Sequence, residues 1–198
     1  MKHTDKLKRI WRRVILRDVR YRDSCKTLDK FYMVSDPWNM GSPSEQYRFA
    51  ETNRVILEEI GRVGSLLEVG CGEGHQSLYL KLVCNRLTGL DVSARAVQRA
   101  RKRCTSAEFL VGDIFCQEAN ARAPFDLVVA CEVLYYMSDV RGALKRMQAL
   151  GRNVFVSYFS RVTDTIDPEI LCFTGAVLRN LEFEGSWWRV AWWRGDQA

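Results

Sequence analysis

No apolar run in this chain approaches the ~20 residues that a membrane-crossing helix needs. The basic start, MKHTDKLKRIWRR, leads into no long apolar segment and no small-residue cleavage site, which speaks against secretion. No two of the seven cysteines are spaced C-x-x-C, and their number is odd, so neither a zinc site nor a redox motif is indicated and no metal is expected. Several of them fall in strand-like or helix-like segments, where cysteine behaves as a small hydrophobe. A reducing, cytoplasmic setting is the expectation. Internal repeats, low-complexity tracts and Pro/Ser linkers are also missing. Two of the four prolines sit together in SDPWNMGSPSEQ, Ser35 to Gln46, the one loop-rich segment.

What is present suits one folded domain. A chain of 198 residues with 47% hydrophobic and 27% charged residues has the length and composition for a full core. Its net charge of +6 is uneven. Residues 1–30 carry eleven Lys or Arg against four Asp, a local +7 that leaves the remainder close to neutral. The expected organisation is a basic helical extension over 1–30 and a domain over 31–198. Such an extension could attract nucleic acid, an acidic membrane surface or an anionic substrate. The favoured reading is a solvated amphipathic helix with Leu7, Ile10, Trp11, Val14 and Ile15 facing the body, because basic helices are common and few bind nucleic acid.

After the loop-rich segment, a helix carries Phe49, Val55, Ile56 and Ile60 and ends near Gly61 and Gly64. Strand-like SLLEV, RLTGLDV, AEFLVGD, FDLVVACEV and NVFVSYF then alternate with helix-like EGHQSLYLKLV, SARAVQRARKRC and DVRGALKRMQAL. Short buried strands alternating with helices signify a parallel α/β sheet covered on both faces. The tail differs: PEILCFTGAVLRN reads as a helix, and NLEFEGSWWRVAWWRG as two strands around Glu184-Gly185-Ser186. The total is seven strands, the last pair joined by a tight hairpin and hence antiparallel.

In LLEVGCGEGHQSLYL an apolar strand reaches Glu68, crosses Gly70, Cys71, Gly72 and Gly74, and turns into a helix. In a doubly wound sheet, ligands sit beyond the carboxyl ends of the strands, where this loop lies. Glycines there allow a tight turn and a close approach of backbone to ligand. A dinucleotide loop places its third glycine three residues after the second. Here it follows after two, and His75 stands where Gly or Ala is wanted, which counts against NAD and FAD. Asp91 ends the second strand, 21 residues after Gly70, where a carboxylate can accept from both hydroxyls of a ribose. Asp113 follows the third strand and can accept from an adenine amino group, with Ile114 and Phe115 beside the ring. Either aspartate alone also reads as a helix or turn cap.

Together, the ExGxGxG of LLEVGCGEG, the Asp of LTGLDVS, the GD of FLVGDIF and the segment FDLVVACEVLYYM resemble a class I S-adenosylmethionine-dependent methyltransferase from about Phe31 onward. The resemblance implies a Rossmann-like, seven-stranded, mostly parallel sheet with an antiparallel last strand. DPWNMGSPSEQYRFAETNRVILEEI before the first strand, and the Trp-rich end of a short chain, are similar to the nodulation-protein S (NodS) group, which N-methylates the amino sugar of a chitin oligosaccharide. The resemblance implies that Glu68, Gly70, Cys71, Gly72 and Gly74 border the amino acid end of S-adenosylmethionine. By the same implication Asp91 takes the ribose, Val92 the adenine face, Asp113 and Ile114 the adenine edge and face, and Cys131 and Glu132 line the same cleft.

Methyl transfer from a sulfonium is an in-line displacement, so alignment and exclusion of water dominate. An amine must be neutral when it attacks, and Glu132 is the first choice to orient it and take its proton. Tyr135 and Tyr136 follow within a turn and could wall the acceptor pocket. His75 is a further candidate base, and its other reading is spatial filler. Arg48 matches a methionine carboxylate bidentately, and Trp38 could close the pocket. At most one of each of the pairs Trp187-Trp188 and Trp192-Trp193 can face a given pocket, because neighbours in a strand point to opposite faces. The expected function is methyl transfer to a small-molecule amine or hydroxyl. An RNA or other polyanionic acceptor, bound through the basic extension, is the second reading, and a non-catalytic cofactor-binding module the third. CEVLYY lacks the Pro-Pro of base-amine methyltransferases, which counts against base chemistry.

Overall fold

The computed structural model describes residues 29–197, so the basic extension over 1–30 lies almost entirely outside the described residues. Helix α1 (Pro43–Glu59) precedes β1 (Val63–Val69), and α2 (His75–Leu80) leads to β2 (Cys84–Asp91). Then come α3 (Ala94–Arg103), β3 (Glu108–Val111), α4 (Gln117–Asn120) and β4 (Leu127–Cys131). A 3₁₀ turn over Leu134–Tyr136, α5 (Val140–Leu150), β5 (Asn153–Phe159), a second 3₁₀ turn over Ser160–Val162, α6 (Thr163–Ile170), β6 (Val177–Phe183) and β7 (Ser186–Arg194) complete the chain. The sheet order is β3-β2-β1-β4-β5-β7-β6. The first five strands are mutually parallel, and β7 runs antiparallel to both β5 and β6. This is the α/β, Rossmann-like arrangement that the alternating pattern predicts.

Strand alternation sorts side chains into two cores. Leu66, Leu127, Val129, Phe155 and Trp192 face Val55 and Ile56 of α1, Leu80 of α2, and Val97 and Ala100 of α3. Their neighbours Leu67, Val128, Ala130, Val154 and Trp193 face Leu144 and Met147 of α5 and Ile166 and Ile170 of α6. The buried members of the tryptophan pairs are thus sheet packing, as the period-2 argument requires. Strand order reverses between β1 and β4, where the loops leaving adjacent strands go to opposite faces and open a crevice.

Two expectations change. The helix over PEILCFTGAVLRN is shorter: α6 ends at Ile170, and β6 already begins at Val177. Gly175 at φ +74° breaks the helix, and seven residues of β6 pair along β7, satisfying backbone groups that a helix there would leave open at the β7 edge. Apolar spacing in this stretch fits both periods, and the tertiary pairing decides. Likewise, α2 is six residues rather than the longer helix expected, because residues 81–83 form a turn into β2.

The crevice depends on the loop after β1. Gly70 holds φ +74°, and a Cβ there would stand 2.5 Å from Val133 Cγ2. Gly70→Ala therefore combines left-handed strain with a steric overlap and is expected to cost about 2–4 kcal/mol. Chemical denaturation of the two proteins checks this; equal midpoints would refute the tight-loop account.

Candidate functional site

Beyond the carboxyl ends of β1, β2 and β4 lies a cavity of about 360 Å³, roofed by residues 32–40 and by the start of α1. Glu68, the last residue but one of β1, lies on the cavity floor, 3% exposed, and accepts a hydrogen bond of 2.5 Å from Ser77 Oγ of α2. The glycine loop then turns back on the sheet: the N–H groups of Gly70 and Cys71 both donate to Leu90 O, at 2.8 and 2.9 Å. Gly72 N–H donates to Asp91 Oδ2 at 2.8 Å, while Asp91 Oδ1 accepts from Ser93 N–H at 2.9 Å. Asp91 is thereby fixed at the cavity wall, and each of its oxygens keeps a lone pair for a further donor. Asp113 is exposed and accepts from Phe115 N–H at 2.9 Å, with Ile114 buried beside it.

The opposite wall comes from α1 and the loop after β4. Arg48 is 1% exposed, and its Nε and Nη2 donate to Glu45 Oε2 at 3.0 and 2.7 Å. Its Nη1 donates to Gln76 Oε1 at 2.8 Å. Glu132 adopts φ +57°, a region that non-glycine residues seldom occupy and that clusters at functional sites. Three contacts hold it there. Its N–H donates to Ser157 O at 2.9 Å, and its carboxylate accepts from Tyr135 OH at 3.1 Å and, at a longer 3.4 Å, from Ser157 Oγ. Trp38 reaches across the opening, its ring 5.7 Å from Tyr136, which in turn lies 4.6 Å from Tyr135.

All but one of the residues singled out in the sequence line this cavity: Trp38, Arg48, Glu68, Gly70, Cys71, Gly72, His75, Asp91, Val92, Asp113, Ile114, Cys131, Glu132 and Tyr135. Gly74 does not. It caps α2 at φ +78°, where a Cβ would press within 3.0 Å of Ala100 Cα, so its glycine serves helix packing. His75 Nε2 lies 3.6 Å from Glu73 and 4.0 Å from Asp36. Glu73 itself accepts from Asp36 N–H and from Arg99, which ties the 29–42 segment to the glycine loop. Sequence reasoning passed over Tyr32, Glu45, Gln76 and Ser157. Of these only Glu45 left a signal, its i,i+3 spacing to Arg48.

The model of the family described as Nodulation protein S (NodS) matches residues 22–165. The chain belongs to the NodS family. It is 34% identical over 145 residues to nodulation protein S of Rhizobium tropici, a match covering 65% of this chain and 60% of that protein. The match thus spans about three fifths of the relative's length. An uncharacterized methyltransferase of Mycobacterium tuberculosis is 30% identical over 163 residues, 80% of this chain and 70% of its own. Among solved structures, the N-methyltransferase NodS of Bradyrhizobium japonicum WM9 in complex with S-adenosyl-L-homocysteine superposes with a TM-score of 0.71 at 24% identity, covering 88% of this chain and all of that one. The fold of this NodS-family chain is accordingly that of the class I methyltransferases.

Burial governs ionisation in the cavity of this family member. It pushes the Glu68 carboxyl up to about 8, against the opposing Ser77 hydrogen bond. It pushes Glu132 up to about 7, with the Arg48 guanidinium pulling the other way and Glu45 adding to the rise. The Cys131 thiol is raised to about 11 by the same desolvation. Between the ordinary carboxyl value of 4.5 and about 8, the folded protein holds a proton on Glu68 that the unfolded chain releases. On that account stability falls as pH rises through this window. Glu68→Gln removes the titration and keeps an oxygen for Ser77. Relative to the parent, the variant is expected to gain about 2 kcal/mol or more between pH 5 and pH 9. Urea melts across that range check it; a constant difference would overturn the assignment of a buried, proton-holding Glu68.

Proposed function

We propose that this protein is an S-adenosylmethionine-dependent methyltransferase acting on an amine of a small acceptor of amino-sugar type. The observation that carries the reading is the charge set of the cavity: Glu45, Glu68 and Glu132 stand around the guanidinium of Arg48, the sole lysine or arginine among the described residues that line it. Such an excess of carboxylate suits a ligand bearing a sulfonium and an ammonium, and an acceptor whose nitrogen arrives protonated. Asp91 is placed for a ribose diol, with Val92, Ile114 and Asp113 around an adenine. Gly72, at φ +53°, lets the Tyr32 hydroxyl pack against the loop, where a Cβ would stand 3.0 Å from it. The donor, when bound, supplies a methyl group already activated on sulfur.

The chain's own residues supply alignment and the proton path. Glu132, once ionised, accepts an N–H of the acceptor and carries its proton away, while Tyr135 OH and Ser157 Oγ hold the carboxylate in place. Trp38, Tyr136 and Tyr135 present ring faces on which the apolar face of a sugar can pack, and they exclude water. A small acceptor is also supported by the arginines of α3. Arg99, Arg101 and Arg103 donate to the carbonyls of Val34, Phe109 and Glu73, and Arg95 pairs with Asp29, leaving little of this helix for a polyanion. The six cysteines among the described residues are all unpaired, in keeping with a reducing cytoplasm.

Calorimetric titration of S-adenosylmethionine and S-adenosylhomocysteine tests the donor site. Micromolar binding, weakened at least about tenfold by Asp91→Ala through loss of a charge-assisted contact, is expected; no binding of either ligand would overturn the reading. Methyl transfer to glucosamine-type acceptors should rise with pH through an inflection near 7, as Glu132 loses its proton. Glu132→Gln should lower kcat by about 10²-fold and remove that inflection, with donor affinity changed only a few-fold. An unchanged profile would remove Glu132 from the proton path.

A further inference from the structure

Methyl transfer to nitrogen needs the lone pair of that nitrogen aimed at the methyl carbon, and a primary amine then has two N–H bonds left to point elsewhere. The cavity offers Glu132 for one of them. For the other there is a carboxylate that the proton path leaves unused. Glu45 lies in the first turn of α1 and lines the same cavity, its side chain 19% exposed. Its Oε2 takes both bonds from Arg48, at 3.0 and 2.7 Å, while nothing among the described residues donates to Oε1. The two carboxylates share a neighbour. Arg48 touches Glu45 and is within electrostatic reach of Glu132, and the charge of Glu45 adds to the rise of the Glu132 carboxyl. They differ in what they can do. Glu132 is held by two hydroxyls and is open to a proton, whereas Glu45 has one oxygen locked on a guanidinium and is suited to orienting a hydrogen rather than removing it.

We propose that Glu45 Oε1 is the second hydrogen-bond acceptor for the attacking nitrogen, so that the site admits a primary amine and stops after one methyl. The inference rests on the reading of the acceptor as an amine. With one N–H on Glu132 and the other on Glu45, the remaining tetrahedral direction, that of the lone pair, is turned to the methyl. The N–C bond forms as the C–S bond breaks and its electron pair stays on sulfur. Glu132 then takes one proton from the new ammonium, leaving a neutral N-methyl amine. That product has a single N–H. To present its lone pair again it must set its methyl against Oε1, which leaves a carboxylate oxygen in the cavity wall without a donor. A hydroxyl fails in the same way, because its one hydrogen goes to Glu132 and a lone pair faces Glu45. Glu45 is thus a specificity-determining residue, and its pairing with Arg48 one turn on fixes the plane of its carboxylate.

Three acceptors separate the possibilities at saturating S-adenosylmethionine: glucosamine, its 2-methylamino analogue, and glucose, which has a hydroxyl at that carbon. By kcat/KM the parent protein should favour glucosamine over the 2-methylamino sugar by about tenfold or more. It should leave glucose unmethylated, and mass spectrometry should find a single added methyl on glucosamine. Glu45→Gln keeps an oxygen for Arg48 and puts an NH₂ in the place of Oε1. The variant should raise KM for glucosamine about tenfold and bring the two amino sugars within about threefold of each other. Its affinity for S-adenosylmethionine, read by calorimetry, should stay within a few-fold of the parent's, which also reports that the variant folds. If Glu45 serves only to hold Arg48, the substitution weakens the donor or lowers both amino sugars alike, and the ratio between them stays as in the parent. That result would overturn the proposal, as would a parent that methylates both amino sugars equally well. If the parent binds S-adenosylmethionine but methylates neither amino sugar, the amine reading falls and the role of Glu45 falls with it.

Discussion

A guanidinium buried to 1% exposure ties α1 to α2 beside the glycine loop. Removing one partner of a buried charge pair is strongly destabilising, so Arg48 and Glu45, one turn apart on α1, must keep each other, while the Nη1 bond to Gln76 joins α1 to α2. Around this cation the rest of the cavity takes its positions. Gln76 is held by its oxygen, Glu68 and Glu132 feel its charge, and Phe49 lies under its plane at 4.8 Å. The salt bridge is less a source of stability than a choice of geometry. A hydrophobic replacement of similar volume could be as stable, but it would leave the carboxylates of the cavity with no cation among them.

The opposing constraint is the backbone of the two loops that meet beneath Arg48. Gly70 and Glu132 both sit at positive φ, and their neighbours interlock, with Val133 filling the space where a Cβ on Gly70 would go. A glycine accepts this conformation freely, whereas a glutamate does so under strain. That strain is sustained by the hydrogen bond from its N–H to Ser157 and the two contacts of its carboxylate. The chain thus spends part of its packing on holding one acidic side chain at one place.

Which parts of this were legible in the sequence follows from range. The glycine loop, Asp91 and Asp113 lie at strand ends in local motifs, so spacing alone brought them to one edge of the sheet. Five strands and three helices followed from period. The hairpin of β6 and β7 was read correctly from Asn180 on, but the first residues of β6, Val177–Arg179, were taken for helix because their apolar spacing fits both periods, and only pairing with β7 decides between them. Gln76 and Ser157 carry no motif. Their importance comes from partners 28 and 25 residues away, Arg48 and Glu132, which no local pattern reports. Gly74 shows the reverse case: it belongs to the motif, yet it lies outside the cavity lining, at a place where a Cβ would meet Ala100.

The charge balance of the cavity links stability to the proposed chemistry. With Glu45 already paired to Arg48, and Glu68 and Glu132 pushed toward and above neutrality, the site can hold protons on two carboxyls that would otherwise be uncompensated charges. A ligand bearing positive charge stabilises the ionised forms, so its binding and the release of those protons are thermodynamically coupled. On the proposed reading, the same coupling prepares Glu132 for its task. The positive donor favours the carboxylate over the acid, and the base form is then present when an acceptor nitrogen must give up a proton. Transfer removes the sulfonium charge and with it part of that stabilisation. Burial, which costs the fold stability as pH rises, is therefore also what makes the site sensitive to the charge of its ligand.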